Sequence, residues 1–258
     1  MELPEVFEIK SVIKENYKIK TFLFNKNIVA EPGQFVMVWI PGMDEKPFAL
    51  SYTKPFGITV SKLGPFSSRM HEMKKGDKLG IRGPYGNGFR LKGKKICLVA
   101  GGYGVIPIAF LAEKAKKNKI NITSIVGAKT KKDLFFLNRL KKSSCRLIVM
   151  TDDGSFGIKG FATDALMDLL KKEKFDYVYT CGPEVMMKKI FDICEDNGIE
   201  CQASLERYMK CGFGLCGSCC IDDKLVCKDG PIFDFNQLRK LSEFGVFNRN
   251  RSRSKVYL

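Results

Sequence analysis

Cysteines 211, 216 and 219 are spaced C-x4-C-x2-C, and Cys227 follows after a short hairpin-like stretch. Four thiols in this order suit a [2Fe–2S] cluster, whose two irons need four thiolates converging inside one wrapped loop. Gly212, Gly214 and Gly217 stand among them, and glycine lets the backbone take positive φ and approach a bulky inorganic centre. Zinc also takes four cysteines, but usually as two C-x2-C pairs, whereas here a long gap precedes a single such pair. Adjacent residues seldom aim at one centre, so Cys219 is read as the ligand, with Cys220 as the alternative. Cys97, Cys145, Cys194 and Cys201 are scattered and, with Cys181, read as small apolar residues rather than ligands.

Two further stretches suit phosphate. An apolar strand over 96–100 runs into Gly101-Gly102-Tyr103-Gly104-Val105-Ile106-Pro107 and then a helix, which aims backbone N–H groups and a helix N-terminus at whatever lies over the strand end. Cys181-Gly182-Pro183 repeats the arrangement after a strand at 177–180. Two such turns on neighbouring strand ends predict a nucleotide cleft. Nearer the start, Gly64-Pro65-Phe66-Ser67-Ser68 opens a lone helix whose free N–H groups and hydroxyls suit a second pyrophosphate, or else simply cap the helix. A cluster moves one electron and a nicotinamide moves a hydride. A chain carrying both sites therefore calls for a flavin, which exchanges either.

These residues need elements to hold them. Strand-like segments at 5–13, 19–24, 34–40, 48–52, 58–61 and 78–82, separated by Gly and Pro turns, predict a small antiparallel barrel, with one helix at 66–73. From residue 94 strands and helices alternate, which predicts a doubly wound parallel sheet. The expected division is 1–93 for a flavin barrel, 94–200 for an NAD-binding α/β domain, 201–236 for a cluster-binding segment and 237–258 for a basic tail, whose stretch 239–255 is read as frayed, with contact to a partner as the alternative.

The chain has 258 residues, 45% of them hydrophobic and 28% charged, which fits globular domains. Its formal charge of +16 draws anionic partners, but the lysines spread over helix faces without an RNA-module pattern, so no nucleic-acid role is expected. The start lacks a charged and apolar leader, which predicts a cytoplasmic protein. The uncharged run 96–112 is broken by glycines and a proline, so no membrane span is expected.

Several motifs together resemble the ferredoxin-reductase superfamily, and within it the electron-transfer subunits of dihydroorotate dehydrogenase. They are Lys46-Pro47-Phe48-Ala49-Leu50-Ser51, Gly83-Pro84-Tyr85-Gly86-Asn87-Gly88-Phe89, the Gly101 to Pro107 turn, Thr151-Asp152-Asp153-Gly154-Ser155, Cys181-Gly182-Pro183, Leu205-Glu206-Arg207-Tyr208-Met209, and Cys227-Lys228-Asp229-Gly230-Pro231-Ile232-Phe233. The resemblance implies FAD on the barrel, NAD on the α/β domain and a [2Fe–2S] cluster in the C-terminal segment. It implies docking on a separate FMN-containing catalytic subunit, as a heterotetramer, with electrons passing from dihydroorotate through FMN, cluster and FAD to NAD in pyrimidine biosynthesis. By match, Lys46, Pro47, Phe48, Ala49, Leu50 and Ser51 lie at the flavin; Thr59, Val60, Ser61, Gly64, Ser67 and Ser68 hold the rest of FAD; and Gly101, Gly102, Gly104, Pro107, Cys181, Gly182 and Pro183 hold NAD. Cys211, Cys216, Cys219 and Cys227 take the metal, and acid–base catalysis belongs to the partner. A related reading is an NAD(P)H-dependent ferredoxin or sulfur-acceptor reductase subunit. Three positions depart from the family: Lys46 replaces an arginine fork, Ala49 replaces a hydroxyl, and bulky Tyr103 replaces a glycine beside the nicotinamide.

Overall fold

The structure, a computed structural model, describes residues 3–258. Its first six strands are β1 (Glu5–Lys14), β2 (Ile19–Phe24), β3 (Phe35–Ile40), β4 (Asp44–Thr53), β5 (Phe56–Ser61) and β6 (Lys78–Tyr85), with helix α1 (Pro65–Glu72) between the last two. They close into a barrel in the order β1-β2-β5-β4-β3-β6. Closure removes the open edges an antiparallel sheet would otherwise present. Period-two alternation drives it: Phe22, Phe24, Val36, Val38, Leu50, Ile58 and Val60 all bury their side chains in one core, onto which Phe66 and Met70 of α1 pack.

The second body alternates β7 (Lys95–Gly101), α2 (Val105–Lys117), β8 (Asn121–Ala128), α3 (Leu137–Ser143), β9 (Arg146–Thr151), β10 (Ile158–Lys159), α4 (Ala162–Leu170), β11 (Tyr177–Cys181), α5 (Glu184–Asp196) and β12 (Cys201–Ser204). These strands are parallel, as the βαβ grammar requires. The sheet has a seventh member from further down the chain. After the hairpin β13 (Cys220–Ile221) and β14 (Lys224–Leu225) comes β15 (Ile232–Asp234), which pairs antiparallel with β12, giving the order β10-β9-β8-β7-β11-β12-β15. The cysteine-rich segment is thus sewn into the α/β sheet.

Of the tail read from sequence as frayed, residues 237–249 instead pack, whereas 250–258 lie exposed. Helix α6 (Phe235–Lys240) is capped by Asp234, whose side chain accepts from the Gln237 N–H at 3.0 Å. Leu238, Leu241, Phe244 and Phe247 are buried, and a hairpin of β16 (Phe247–Arg249) and β17 (Lys255–Tyr257) ends the chain. The basic charge hid this from sequence, because the apolar residues that anchor the segment are too few to form a periodic pattern.

Barrel and α/β body are knitted together by Arg139 of α3. Its guanidinium lies 3.9 Å from the Tyr52 ring centroid and 4.5 Å from that of Phe136, donates to the Ser51 carbonyl at 3.0 Å and pairs with Glu113. Lys18 and Asp133 form a second bridge at 2.6 Å. No helix among the described residues is long and apolar enough to cross a membrane.

Fully buried Phe233 of β15 joins the cysteine segment to the sheet's main core. Phe233→Ala is expected to lower the unfolding free energy by about 3–5 kcal/mol in urea titrations, and a loss below about 1 kcal/mol would contradict this role.

Candidate electron-transfer site

The cysteine loop folds around its glycines. Gly212, Gly214 and Gly217 all have positive φ. At Gly212 the reason is also spatial: a Cβ would lie 2.7 Å from Met37 Cγ of the barrel. The thiols fall into two pairs. The Cys216 N–H donates to Cys211 Sγ at 3.4 Å, joined by Leu215 N–H at 3.3 Å, and the Cys227 N–H donates to Cys219 Sγ at 3.4 Å. Among the described residues no three Cys, His, Asp or Glu side chains gather about one point. Two irons with two thiolates each need two pairs, and the donor set fits that demand.

The pairs differ in setting. Cys219 and Cys227 are 3% and 2% exposed, whereas Cys211 and Cys216 are half-buried. At Cys216 burial pushes the thiol up, but interactions with Ser218 and Cys211 outweigh it and bring the group down to about 6. The Cys227 thiol lowers Cys219 to about 7 through their hydrogen bond, and the same bond pushes Cys227 up. Local dipoles thus already favour thiolate at one member of each pair. Cys220 lies in β13, paired with Leu225. Of the scattered cysteines, Cys97, Cys194 and Cys201 are buried apolar residues and Cys145 is exposed.

Two arginines hold this loop, Arg82, which sequence reasoning did not single out, and Arg207, which it quoted within a motif without assigning it a role. Arg82 of β6 is buried and makes a two-pronged pair with Glu45 of β4, its Nε donating to Oε1 at 2.7 Å. Its Nη2 also donates to the Cys211 carbonyl at 3.1 Å. Arg207 pairs with Glu184 at the first turn of α5, both nearly inaccessible, and Glu184 Oε1 also accepts from the Gly245 N–H at 2.9 Å. An isolated charged residue carries no periodic signal; only its place beside the Gly83 motif could have marked Arg82. The Gly83 to Phe89 motif lies at this junction, where the Asn87 N–H donates to the Gly230 carbonyl at 2.6 Å and its side chain to the Asp229 carbonyl at 2.8 Å.

The two glycine turns meet. Ala100 and Cys181 are paired on adjacent strands. Gly104 fits so closely under the second turn that a Cβ there would lie 2.0 Å from the Cys181 carbonyl oxygen. Gly101 packs on Pro183 and Met186, and Gly182 on Gly101. The Cys181 thiol, pushed up by burial to about 12, stays neutral. Pro107 is buried in the first turn of α2. Tyr103, the odd residue of the turn, is directed toward the barrel, with the Lys18 ammonium 5.8 Å from its ring centroid.

The barrel residues matched to FAD divide. Lys46, Pro47, Phe48 and Ala49 of β4 are partly exposed, with Phe48 stacked on Phe66 of α1 at 6.0 Å and Lys46 5.9 Å from the Tyr208 ring centroid. Ser61 presents a buried hydroxyl oxygen with no hydrogen-bond partner, the kind of group an added phosphate satisfies. Other side chains serve the barrel itself. Leu50 and Val60 lie in its core, and Ser51 Oγ donates to Thr59 Oγ1 at 2.7 Å, which in turn bonds Thr21. Ser67 Oγ accepts the N–H groups of Leu63 and Gly64 at 2.8 and 2.9 Å, so its hydroxyl braces the start of α1, which Gly64 caps, rather than standing free for pyrophosphate. Strand alternation explains the division, since alternate residues of β4 and β5 must face inward.

Residues 206–239 match the iron-sulfur cluster binding domain of dihydroorotate dehydrogenase B, and residues 98–192 match the oxidoreductase NAD-binding domain. Over the full length of both chains the protein is 49% identical to the probable dihydroorotate dehydrogenase B (NAD(+)), electron transfer subunit, of Methanocaldococcus jannaschii. The chain belongs to the dihydroorotate dehydrogenase B electron-transfer subunits. The relative so described from Methanothermobacter thermautotrophicus is 43% identical, over 99% of this chain and 98% of its own. A solved structure described as an NADH-dependent reduced ferredoxin-NADP oxidoreductase superposes with a TM-score of 0.82 at 30% identity, covering 93% of this chain and 94% of that one. As an electron-transfer subunit the protein works with a catalytic partner subunit, and it is an oxidoreductase component that binds an iron–sulfur cluster and NAD.

Gly104→Ala is expected to force the two turns apart and raise the Kd for NADH at least about tenfold, measured by fluorescence titration. Unchanged NADH affinity would show that the close approach is unrelated to nucleotide binding. Arg207→Leu leaves the Glu184 carboxylate buried and is expected to cost about 3–5 kcal/mol of stability in denaturant titrations.

Proposed function

We propose that Cys211, Cys216, Cys219 and Cys227 hold a [2Fe–2S] cluster, that Lys46 to Ala49 and Ser61 together with the open start of α1 hold FAD, and that the turns at 101–104 and 181–183 hold NAD. Residues 1–93, 94–200 and 201–236 then act as flavin, nicotinamide and cluster units. The catalytic partner carries FMN and oxidises dihydroorotate in the cytoplasm, in a heterotetramer of two copies of each subunit. When bound, the flavin supplies the exchange between single electrons and hydride that neither cluster nor nicotinamide supplies alone.

The observation that carries this reading is Arg82. One guanidinium grips Glu45, next to Lys46 on the flavin strand, and the carbonyl of Cys211 in the cysteine loop. The chain's own work is positional. The thiols and glycine loop bind and enclose a cluster, β4 offers a cation and open backbone to a phosphorylated flavin, and the apposed turns orient a dinucleotide with N–H groups toward its phosphates. Lys46 supports a flavin phosphate as a point charge in place of the fork of an arginine.

The test is a visible spectrum of anaerobically purified protein with iron, sulfide and flavin quantified. About one flavin and two irons per chain are expected. Cys219→Ser is expected to lose the cluster absorbance while Cys220→Ser keeps it. Colourless, zinc-containing protein would refute the reading, and the reverse behaviour of the two variants would reassign the third ligand.

A further inference from the structure

The hairpin β16–β17 lies beyond the matched cluster domain, which ends at residue 239, and nothing in the cluster reading requires it. It is nonetheless tied to the cysteine loop. Arg253, at the tip, donates from Nη2 to the Cys216 carbonyl at 3.1 Å. At its base Arg249 pairs with Glu243, whose N–H donates to Asp222 in the β13–β14 turn at 3.2 Å, and Ser242 Oγ donates to the same carboxylate at 2.6 Å. The Asp44 carboxyl at the start of β4 is held below the usual carboxylate range first by Lys46 and, more weakly, by Arg251. Through Arg253 the hairpin tip is therefore fastened to the cysteine loop.

The chemistry of this face is uniform. Arg249, Arg251, Arg253 and Lys255 alternate along the hairpin, and no acidic residue follows Glu243. Large apolar groups stand among these cations: Leu215 is 74% exposed and Tyr257 72%. Exposed apolar anchors ringed by cations have the anatomy of a protein interface, where aromatic and arginine residues dominate binding and peripheral charges steer encounter. The carbonyl that Arg253 grips belongs to Cys216, a member of the more accessible thiol pair, so this face lies against the more open side of the thiols. A second copy is a poor occupant, because each chain carries +16 and would bring like charge to like.

We propose that the C-terminal hairpin, with the Leu215 tip of the cysteine loop, forms a docking surface that receives an acidic rim on the catalytic subunit and closes the open side of the cluster. This rests on the reading of the partner given under Proposed function. Tyr257 and Leu215 enter apolar recesses of that partner, while Arg251 and Lys255 face its carboxylates. Arg253 is a positioning residue that fixes the hairpin on the Cys216 carbonyl.

The experiment titrates the purified catalytic subunit with the cofactor-loaded chain by calorimetry, at low and high salt. The double variant R251E/K255E is expected to bind at least about tenfold more weakly at low salt and to lose most of the salt dependence. Tyr257→Ala is expected to weaken binding at least about tenfold at both salt levels. Both variants are first required to show the flavin and cluster absorbance of the parent chain, which excludes misfolding as the cause. Parent-like affinity in both variants overturns the proposal while leaving the subunit reading intact. Failure of the parent chain itself to bind the catalytic subunit overturns both. Loss of binding to a random-sequence RNA, with subunit affinity unchanged, also overturns it and assigns the face to nucleic acid instead.

Discussion

Arg82 connects two stretches that the sequence holds far apart. Its side chain is only 8% exposed, pairs with Glu45 and reaches the carbonyl of Cys211. A buried guanidinium is tolerated only when its donors are satisfied, so removing either partner strands charge in a poorly solvated place. This gives the junction its stiffness. Electron transfer falls steeply with separation, and a loop free to swing would give no defined distance between cluster and flavin. The same junction is reinforced by Asn87 on the Asp229 and Gly230 carbonyls and by Met37 against Gly212. Barrel, cysteine loop and sheet thus share one apolar core that includes Phe35, Met37, Cys219, Cys227 and Phe233.

The two glycine turns, proposed above to hold NAD, work by the opposite device, absence of side chain. Gly104 and Gly182 let two turns touch where a methyl group has no room. What remains at the strand ends is backbone, with N–H groups and helix starts offering partial positive charge to phosphates. The formal charge of the whole chain adds a diffuse attraction for the same anions. Under the proposed assignment, rigid ionic clamps at the cluster and bare backbone at the nucleotide suit their ligands: one centre is fixed for good, whereas the other must enter and leave.

Most of the architecture could be read in advance, because periodicity of two and the alternation of strand and helix are carried by many residues at once. The six barrel strands, the lone helix α1 and the parallel sheet all emerge from such repetition. The glycine turns and the cysteine spacing were readable for a different reason, since few residue types tolerate those conformations. What escaped notice depends on single long-range contacts. Nothing local in Ile232-Phe233-Asp234 announces that it completes a sheet begun more than a hundred residues earlier, Arg82 looks like any surface arginine until its carboxylate is found, and the motif that contains Arg207 does not say which carboxylate it meets. Motif matching also assigned to cofactor some side chains that strand alternation turns inward, Leu50 and Val60 among them, and a hydroxyl, that of Ser67, which the local turn already uses.

The position of β15 bears on how the molecule is made. Strand β12 leaves the ribosome with its outer edge unpaired, and the strand that covers it arrives only after the whole cysteine loop has been synthesised. Until then a row of backbone donors and acceptors lies open to any other extended chain, the situation that invites edge-to-edge association. Closing the sheet also closes the loop that surrounds the thiols, since the two ends of that loop are the paired strands themselves. Maturation of the metal centre and protection of the nascent sheet are therefore one topological event.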